Sequence, residues 1–550
     1  MHENINKKKT KIIMVQGTGS HVGKSVVVAA LCRIFKQDGY RVCPFKSQNM
    51  ALNSYVTEDG EEMGRAQVMQ AEAAGLKPRV FMNPILIKPV ADKEAQIIYM
   101  GKPVKNMTAV EYDTGKKVYL KKISDTLEDI KKDFDIIVIE GAGSPAEINL
   151  LENDIANMAV AEVANCPVML VGDIDKGGIF ASFYGTVKIL PKKFQKLFKC
   201  LLINKFRGDK RLLQSGVDWI EDKVDLPVLG VVPYYRDIIL DEEDSVNLER
   251  ERYKTDSYNE AADSGNNALK ICVLYLPHIS NFTDFNVLEQ EPGVNLYYIR
   301  RKEELEKIDP HIIIIPGSKS TISDLSHIRS WGIEEEIKRQ YAKGVMVIGI
   351  CGGYQMLGKM ISDPHQTESR DIEHIEGLSL IDMETVFFKE KYTRQVDFRI
   401  NSELLGFTGK ESESLIKENT ENTQKGYEIH MGSSKAPGKA LSSPYKYSLP
   451  LLEVTSDKGK NSYTDGYIYH NKKDRQAIIG TYVHGVFDNL LFRKMVIDLA
   501  ADTFGLSLKE ARKNVLDYRQ FKESQYDRLA DHFRKNMDID RVYEIMEEGI

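Results

Sequence analysis

Residues 345–358 read VMVIGICGGYQMLG, and Cys351 stands where an apolar run gives way to Gly352 and Gly353. Val345 to Ile350 is short and rich in branched side chains, as a buried parallel strand is. A strand, a thiol, two glycines and the start of a helix lift the sulfur out of a sheet. The missing side chains let backbone N–H groups approach an oxyanion, and a helix N-terminus is expected to favour the thiolate. A second stretch with chemistry lies near the start. The apolar strand Ile12 to Val15 runs into Gly17-Thr18-Gly19-Ser20-His21-Val22-Gly23-Lys24-Ser25 and then the helix Val26 to Gln37. Backbone N–H groups of such a loop wrap a phosphate, Lys24 reaches its outer oxygens, and the Ser25 hydroxyl takes Mg2+.

Other elements must bring partners to these two. Ile136 to Ile139 reads as a buried strand ending in Glu140-Gly141-Ala142-Gly143. A carboxylate there lies on the ligand edge of a parallel sheet, so Glu140 is placed to hold Mg2+ beside Ser25. Val168 to Val171 repeats the pattern and ends near Asp173 and Lys176, which serve substrate or phosphate or are plain loop charges. Leu201 to Ile203 ends in Asn204. Downstream, Ala477 to Ile479 leads to His484, a base for the thiol, and Ile312 to Ile315 leads to Pro316-Gly317-Ser318-Lys319-Ser320. His278 reads as a loop residue. Glu428 and His430, on an alternating strand, are second candidates for site work, with a core or edge-strand role favoured.

Gly349-Ile350-Cys351-Gly352-Gly353-Tyr354-Gln355 resembles the G-x-C-x-G-x-Q elbow of class I glutamine amidotransferases. That resemblance implies Cys351 and His484 as the catalytic pair, an oxyanion and glutamine site at Gly317, Gly352 and Gln355, and a flavodoxin-like domain. The class usually carries Glu two residues after the His; here Val486 stands there. A Cys–His dyad is therefore expected, with His484 held by a backbone carbonyl or another side chain and Asp488 pointing away. The Gly-Lys-Ser loop is longer than usual and resembles the dethiobiotin-synthetase type of P-loop, in which ATP activates a carboxylate. Asn204 resembles the adenine-reading Asn of related folds, joining Gly17, Thr18, Gly23, Lys24 and Ser25 at ATP.

The stretches Tyr40 to Ser54, Glu62 to Gln67, Met82 to Pro89, Leu276 to Phe285 and Gly426 to Gly432 resemble the cobyric acid synthase family. The likeness runs from Ile12 to about Asp488. It implies a glutamine-hydrolysing, ATP- and Mg2+-dependent amide ligase acting on the b, d, e and g carboxylates of adenosylcobyrinic acid a,c-diamide. The corrinoid is then a substrate, no prosthetic group is expected, and Gln48, Asn49 and Asp173 are substrate candidates. Gln48-Asn49 replaces an Asp-containing motif of the sister enzyme that amidates the a and c side chains, which is one alternative. Another is a P-loop switch ATPase with an inactive amidotransferase-like module.

At 550 residues the chain needs two or three domains. An α/β protein with two parallel-sheet domains is expected: a P-loop domain over 1–240, a polar linker over 241–268, an amidotransferase domain over 269–500 and a helical extension over 501–550. A polar insertion is expected over 402–423. A formal net charge of −6 gives no reason to expect nucleic acid. Six scattered cysteines without a C-x-x-C pair read as reduced cytoplasmic thiols. No signal peptide or membrane span is expected.

Overall fold

A computed structural model describes residues 9–91, 94–235, 237–241, 268–369, 371–401, 403–404, 423–435, 442–443, 446–456, 459, 461–508 and 517–550. The expected linker, apart from its two ends, and nearly all of the expected insertion lie outside them. The chain divides into two compact units. The first comprises Met1–Ala51, Glu62–Glu243 and Arg519–Ile550, and the second Leu52–Glu61 and Asp244–Tyr518.

The first unit is built on six parallel strands in the order Val228–Pro233, Phe198–Phe206, Val168–Asp173, Lys11–Gly17, Ile136–Glu140 and Val42–Phe45. Strands covered on both faces must be apolar throughout, and Ile136–Glu140 and Val168–Asp173 are buried at every position. The helix Lys24–Gln37 follows the phosphate-type loop and is itself buried over most of its length. It is sandwiched: Val27, Leu31 and Phe35 share one core cluster with strand residues and with Tyr526, Leu529, Phe533, Val542, Ile545 and Met546. The helices Tyr518–Arg534 and Ile539–Glu548, read from sequence as an extension, thus belong to this core. Arg33 ties the packing by donating to Asp527 at 2.8 Å and Glu523 at 2.9 Å. A small sheet, Gln48–Met50, Ile85–Ala91, Glu94–Tyr99 and Lys102–Thr108, also belongs to the unit.

In the second unit five parallel strands run in the order Val294–Ile299, Leu269–Leu274, Ile312–Ile315, Met346–Ile350 and Gln476–Thr481. Antiparallel strands Tyr467–Asn471, Lys446–Leu449 and Ser442–Ser443 extend it. A further, mainly antiparallel sheet is organised on the long pair Glu384–Ile400 and Gln424–Lys435. The expectation of two parallel-sheet domains does not describe this sheet, although Gly426 to Gly432, expected as an alternating strand, falls within one of its strands. Among the described residues no helix is long and apolar enough to cross a membrane.

Candidate active sites

Parallel sheets present ligands at their carboxyl ends, and both sites lie there. In the first unit Gly17 pairs with Val171, Val15 with Glu140, and Asp173 with Asn204. The loop 17–25 therefore stands among the ends of neighbouring strands. A Cβ at Gly17 would stand 2.6 Å from Val22 Cγ2, so the turn requires glycine. Thr18 N–H donates to the Val171 carbonyl at 3.0 Å, and Gly23, at φ 101°, starts the helix in the left-handed region. Lys24 Nζ donates to the carbonyls of Gly19 and Gly143, each at 2.9 Å, and so curls over the loop.

Ser25 Oγ donates to Glu140 Oε1 at 2.9 Å, and Lys46 Nζ meets the same oxygen at 2.9 Å. Gln70 donates to Oε2. Burial would push the Glu140 carboxyl up, yet Lys46, Lys24 and Gln70 hold it below the usual carboxylate range. A hydroxyl and an ionised carboxylate side by side form a hard-oxygen pair that fits Mg2+, which takes one or two protein oxygens and leaves the rest to phosphate and water. Among the described residues there is no cluster of three or more His, Cys, Asp or Glu side chains that could hold a metal ion.

Asn204, expected at adenine, is bonded to the phosphate loop. Its Nδ2 donates to the Val22 carbonyl at 2.9 Å and lies 2.2 Å from where a Gly23 Cβ would stand, so it props the phosphate loop from beneath. Asp173 accepts from Lys205 at 3.1 Å, and Lys205 also donates to the His21 carbonyl at 2.7 Å. Gln48 accepts from Tyr112 at 2.7 Å. Asn49 is buried, and its Nδ2 has no partner among the described residues. A Cβ at Gly64 would meet that nitrogen at 2.5 Å and Gln67 Oε1 at 2.7 Å. Buried amides left unpaired in this way are ready to bind a polar ligand.

The second site takes one loop from each of four adjacent parallel strands. Asp284 follows Leu269–Leu274, Gly317 follows Ile312–Ile315, Cys351 follows Met346–Ile350 and His484 follows Gln476–Thr481. Cys351 has φ 51°, a conformation that side chains rarely hold, and a Cβ at Gly353 would run into the Ile315 carbonyl. The strained turn thus needs glycine after the thiol. The helix that follows is only Gly352–Met356, so little dipole stabilisation of the thiolate comes from it. The turn after Ile312–Ile315 packs on the residue after the thiol: Ser318 N lies 3.0 Å from where a Cβ at Gly352 would stand. Gln355 accepts from Thr321 at 3.3 Å and donates to the Tyr482 hydroxyl at 3.3 Å. Cys351 is 7% exposed, and its Sγ donates to the Ile429 carbonyl at 3.6 Å.

His484 has no exposed surface. Its Nδ1 faces Asp284 Oδ2 at 2.6 Å, and Asp284 Oδ1 accepts from Gly485 N–H at 3.1 Å. Of the holders expected for His484 the structure places a side chain there, and because it is a carboxylate the expected dyad becomes a triad. A carboxylate does sit on the imidazole, supplied 200 residues upstream in sequence rather than by the residue at 486 or 488. Burial would strip the ring of its proton, but Asp284 and the adjacent Cys351 hold the His484 pKa above its ordinary range. Asp284 was not among the residues expected here, although it lies within Leu276 to Phe285; it sits in the 3-10 turn Phe282–Phe285 after the buried strand Leu269–Leu274. His278, in the same loop, is taken by Asp324 at 2.8 Å. Glu428 is buried against Arg394 and Tyr463. His430 stacks on Tyr482 with ring centroids 4.0 Å apart, and burial pulls its pKa down to about 4, keeping it neutral.

Residues 13–247 match the CobQ/CobB/MinD/ParA nucleotide binding domain, and residues 270–492 match the CobB/CobQ-like glutamine amidotransferase domain. The chain is 47% identical over 535 residues to the cobyric acid synthase of Clostridium botulinum (strain Loch Maree / Type A3), covering 97% of this chain and 99% of that one. It is 47% identical to the cobyric acid synthase of Thermoanaerobacter sp. (strain X514), covering 97% and 98%. For that of Clostridium tetani (strain Massachusetts / E88) the identity is 45%, again over 97% and 98%. With two sites of these kinds in one polypeptide and relatives matched from end to end, the chain belongs to the cobyric acid synthase family.

Proposed function

We propose that this protein makes adenosylcobyric acid by amidating the b, d, e and g carboxylates of adenosylcobyrinic acid a,c-diamide, with glutamine as nitrogen donor and ATP as activator. The observation that carries the reading is the pairing, in one chain, of a buried Cys351–His484–Asp284 array with a Lys24, Ser25 and Glu140 phosphate site. The Cys351 thiolate attacks the glutamine δ-carbonyl carbon. His484, aligned by Asp284, takes the thiol proton and returns it to the leaving ammonia, and water then releases glutamate from the thioester. Backbone N–H groups of Gly352 and of the turn at Gly317 and Ser318 hold the oxyanion, while Gln355 lines the glutamine site.

In the other unit the loop 17–25 wraps the ATP phosphates, and Lys24 steadies the γ-phosphoryl as it passes to a substrate carboxylate oxygen. Bound Mg2+, held through Ser25 and Glu140, would supply neutralising charge on the phosphate oxygens. Asn49, with Gln48 beside it, presents amide groups suited to the corrinoid's polar side chains. Asp173 anchors Lys205 near the loop. Ammonia then displaces phosphate from the acyl phosphate and forms the amide. The reaction belongs in the reducing cytoplasm, in keeping with six buried cysteines that are all free thiols. Mass spectrometry of the a,c-diamide after incubation with Mg-ATP and glutamine tests this. Four sequential exchanges of acid for amide are expected. Amidation of cobyrinic acid at a and c instead, or ATP hydrolysis with no amide formed, would overturn it.

A further inference from the structure

One short segment sits apart from the rest of its motif. The chain leaves the first unit after Ala51, contributes Leu52–Glu61 to the second, and returns at Glu62. There it is firmly held. Val56 clusters with Tyr427 and Ile429, the Tyr55 ring lies 5.4 Å from that of Tyr427, and Gln395 donates to the Tyr55 hydroxyl at 2.9 Å. Tyr427 in turn stacks on the His484 imidazole with centroids 5.1 Å apart and planes 16° apart. Ile429 is the residue whose carbonyl faces the Cys351 thiol.

The segment also reaches the reacting nitrogen. Ser54 N–H donates to Asn281 Oδ1 at 3.3 Å, and Asn281 Nδ2 lies 3.3 Å from His484 Nε2. An amide has one acceptor end and one donor end. With Ser54 claiming the oxygen, the NH2 end is turned to His484. Since Nδ1 of the ring is engaged by Asp284, Nε2 is the atom that must take the Cys351 proton. An N–H donor aimed at Nε2 competes for the same lone pair and opposes the imidazolium.

We propose that Asn281 and the segment 52–61 form a brake on the glutaminase, released from the carboxylate-activating unit. This rests on the function proposed above. Both ends of the segment continue into that unit's chemistry. Upstream lies the strand Gln48–Met50; downstream lies the helix Arg65–Ala73, whose Gln70 binds Glu140. Displacing the segment removes Ser54 N–H from Oδ1. The amide is then free to rotate and present its oxygen to Nε2–H, which favours the imidazolium–thiolate pair. Glutamine is thereby spared until a carboxylate is ready for ammonia. The other groups facing the imidazole are Asp284, Cys351, Tyr427 and, through the charge it would carry, His430. None of them contacts both the segment and Nε2 in the way Asn281 does.

Asn281 has φ 54°, and its carbonyl accepts from Asp284 N–H at 3.0 Å. Substitutions must therefore tolerate the left-handed region, which Gly and Asp do. In the full-length protein, Asn281→Gly removes the donor and Asn281→Asp replaces it with an acceptor. Two readouts are taken with and without Mg-ATP and the a,c-diamide: glutamine hydrolysis, and the rate of Cys351 alkylation by iodoacetamide against pH. Wild type is expected to hydrolyse glutamine at least about tenfold faster with the substrates present. Both variants are expected to be fast without them, with stimulation near onefold, the acid limb of alkylation moved to lower pH, and ammonium-driven amidation unchanged. Ser54→Pro, which deletes the N–H, should behave alike. Lower basal hydrolysis in both Asn281 variants, or preserved stimulation, would overturn the brake. Absence of any glutamine hydrolysis in wild type would instead overturn the function on which it rests.

Discussion

The two units reach the same end, reactive groups on the carboxyl edge of a parallel sheet, by opposite routes. In the first, Gly17 to Ser25 is a continuous stretch that carries the backbone cradle, the cation and the hydroxyl together. In the second, the groups around the thiol come from positions 284, 351 and 484, one to a strand. A phosphate is met by backbone, so its site can be written locally. A nucleophile, a base and an orienting acid must converge on one point from different directions, and no contiguous peptide does that. The first keeps its cradle in one stretch and takes Glu140 and Asn204 from other strands; the second draws each of its groups from a different strand.

The sharpest test of that division is Cys351→Ala. Glutamine-dependent amidation should fall by about 10⁴-fold or more, while synthesis with high ammonium at neutral-to-alkaline pH should persist. Loss of both, in a protein whose circular dichroism is unchanged, would break the separation of the two chemistries. Lys24→Ala should cost about 10²- to 10³-fold with either nitrogen source, as one preorganised charge on a phosphoryl group is commonly worth several kcal/mol; a wild-type rate would remove ATP activation from the first unit. Asp284→Asn should slow glutamine hydrolysis by about 10²-fold, because the ring loses its aligning charge but keeps the thiol, and ammonium-driven synthesis should not change. Smallest is Asp488→Asn, expected within about twofold of wild type in the same assay. Were it as damaging as Asp284→Asn, the carboxylate assigned to the imidazole would be the wrong one.

What could be read from the sequence follows the same contrast. Contiguous patterns announced themselves: a Gly-rich loop between strand and helix, and a thiol between strand and glycines. Glu140 was legible too, because its strand's buried run ends on it. Asp284 was not. Its partner is fixed by strand order, and nothing near position 484 hints that an acid 200 residues earlier will face it. Asn204 was read by type alone, and type does not show that its amide also bonds the Val22 carbonyl of the loop. The closing helices were legible as helices; what they pack on was not, since an amphipathic face states that it will be covered and not by what.

That packing bears on how the protein is made. Phe35 and Tyr543 rings lie 5.1 Å apart, and the cluster around the helix Lys24–Gln37 is finished by side chains numbered beyond 525. A ribosome therefore releases the first half of the polypeptide long before the residues that seal its interior exist. During that interval all of the second unit, Leu52–Glu61 with Asp244–Tyr518, exists and can fold, while the first waits with an apolar helix face uncovered. The last strands to emerge serve one unit and the last helices the other. A nonsense mutation near codon 518 would consequently leave the later-made unit whole and expose the earlier-made one to chaperones and proteases.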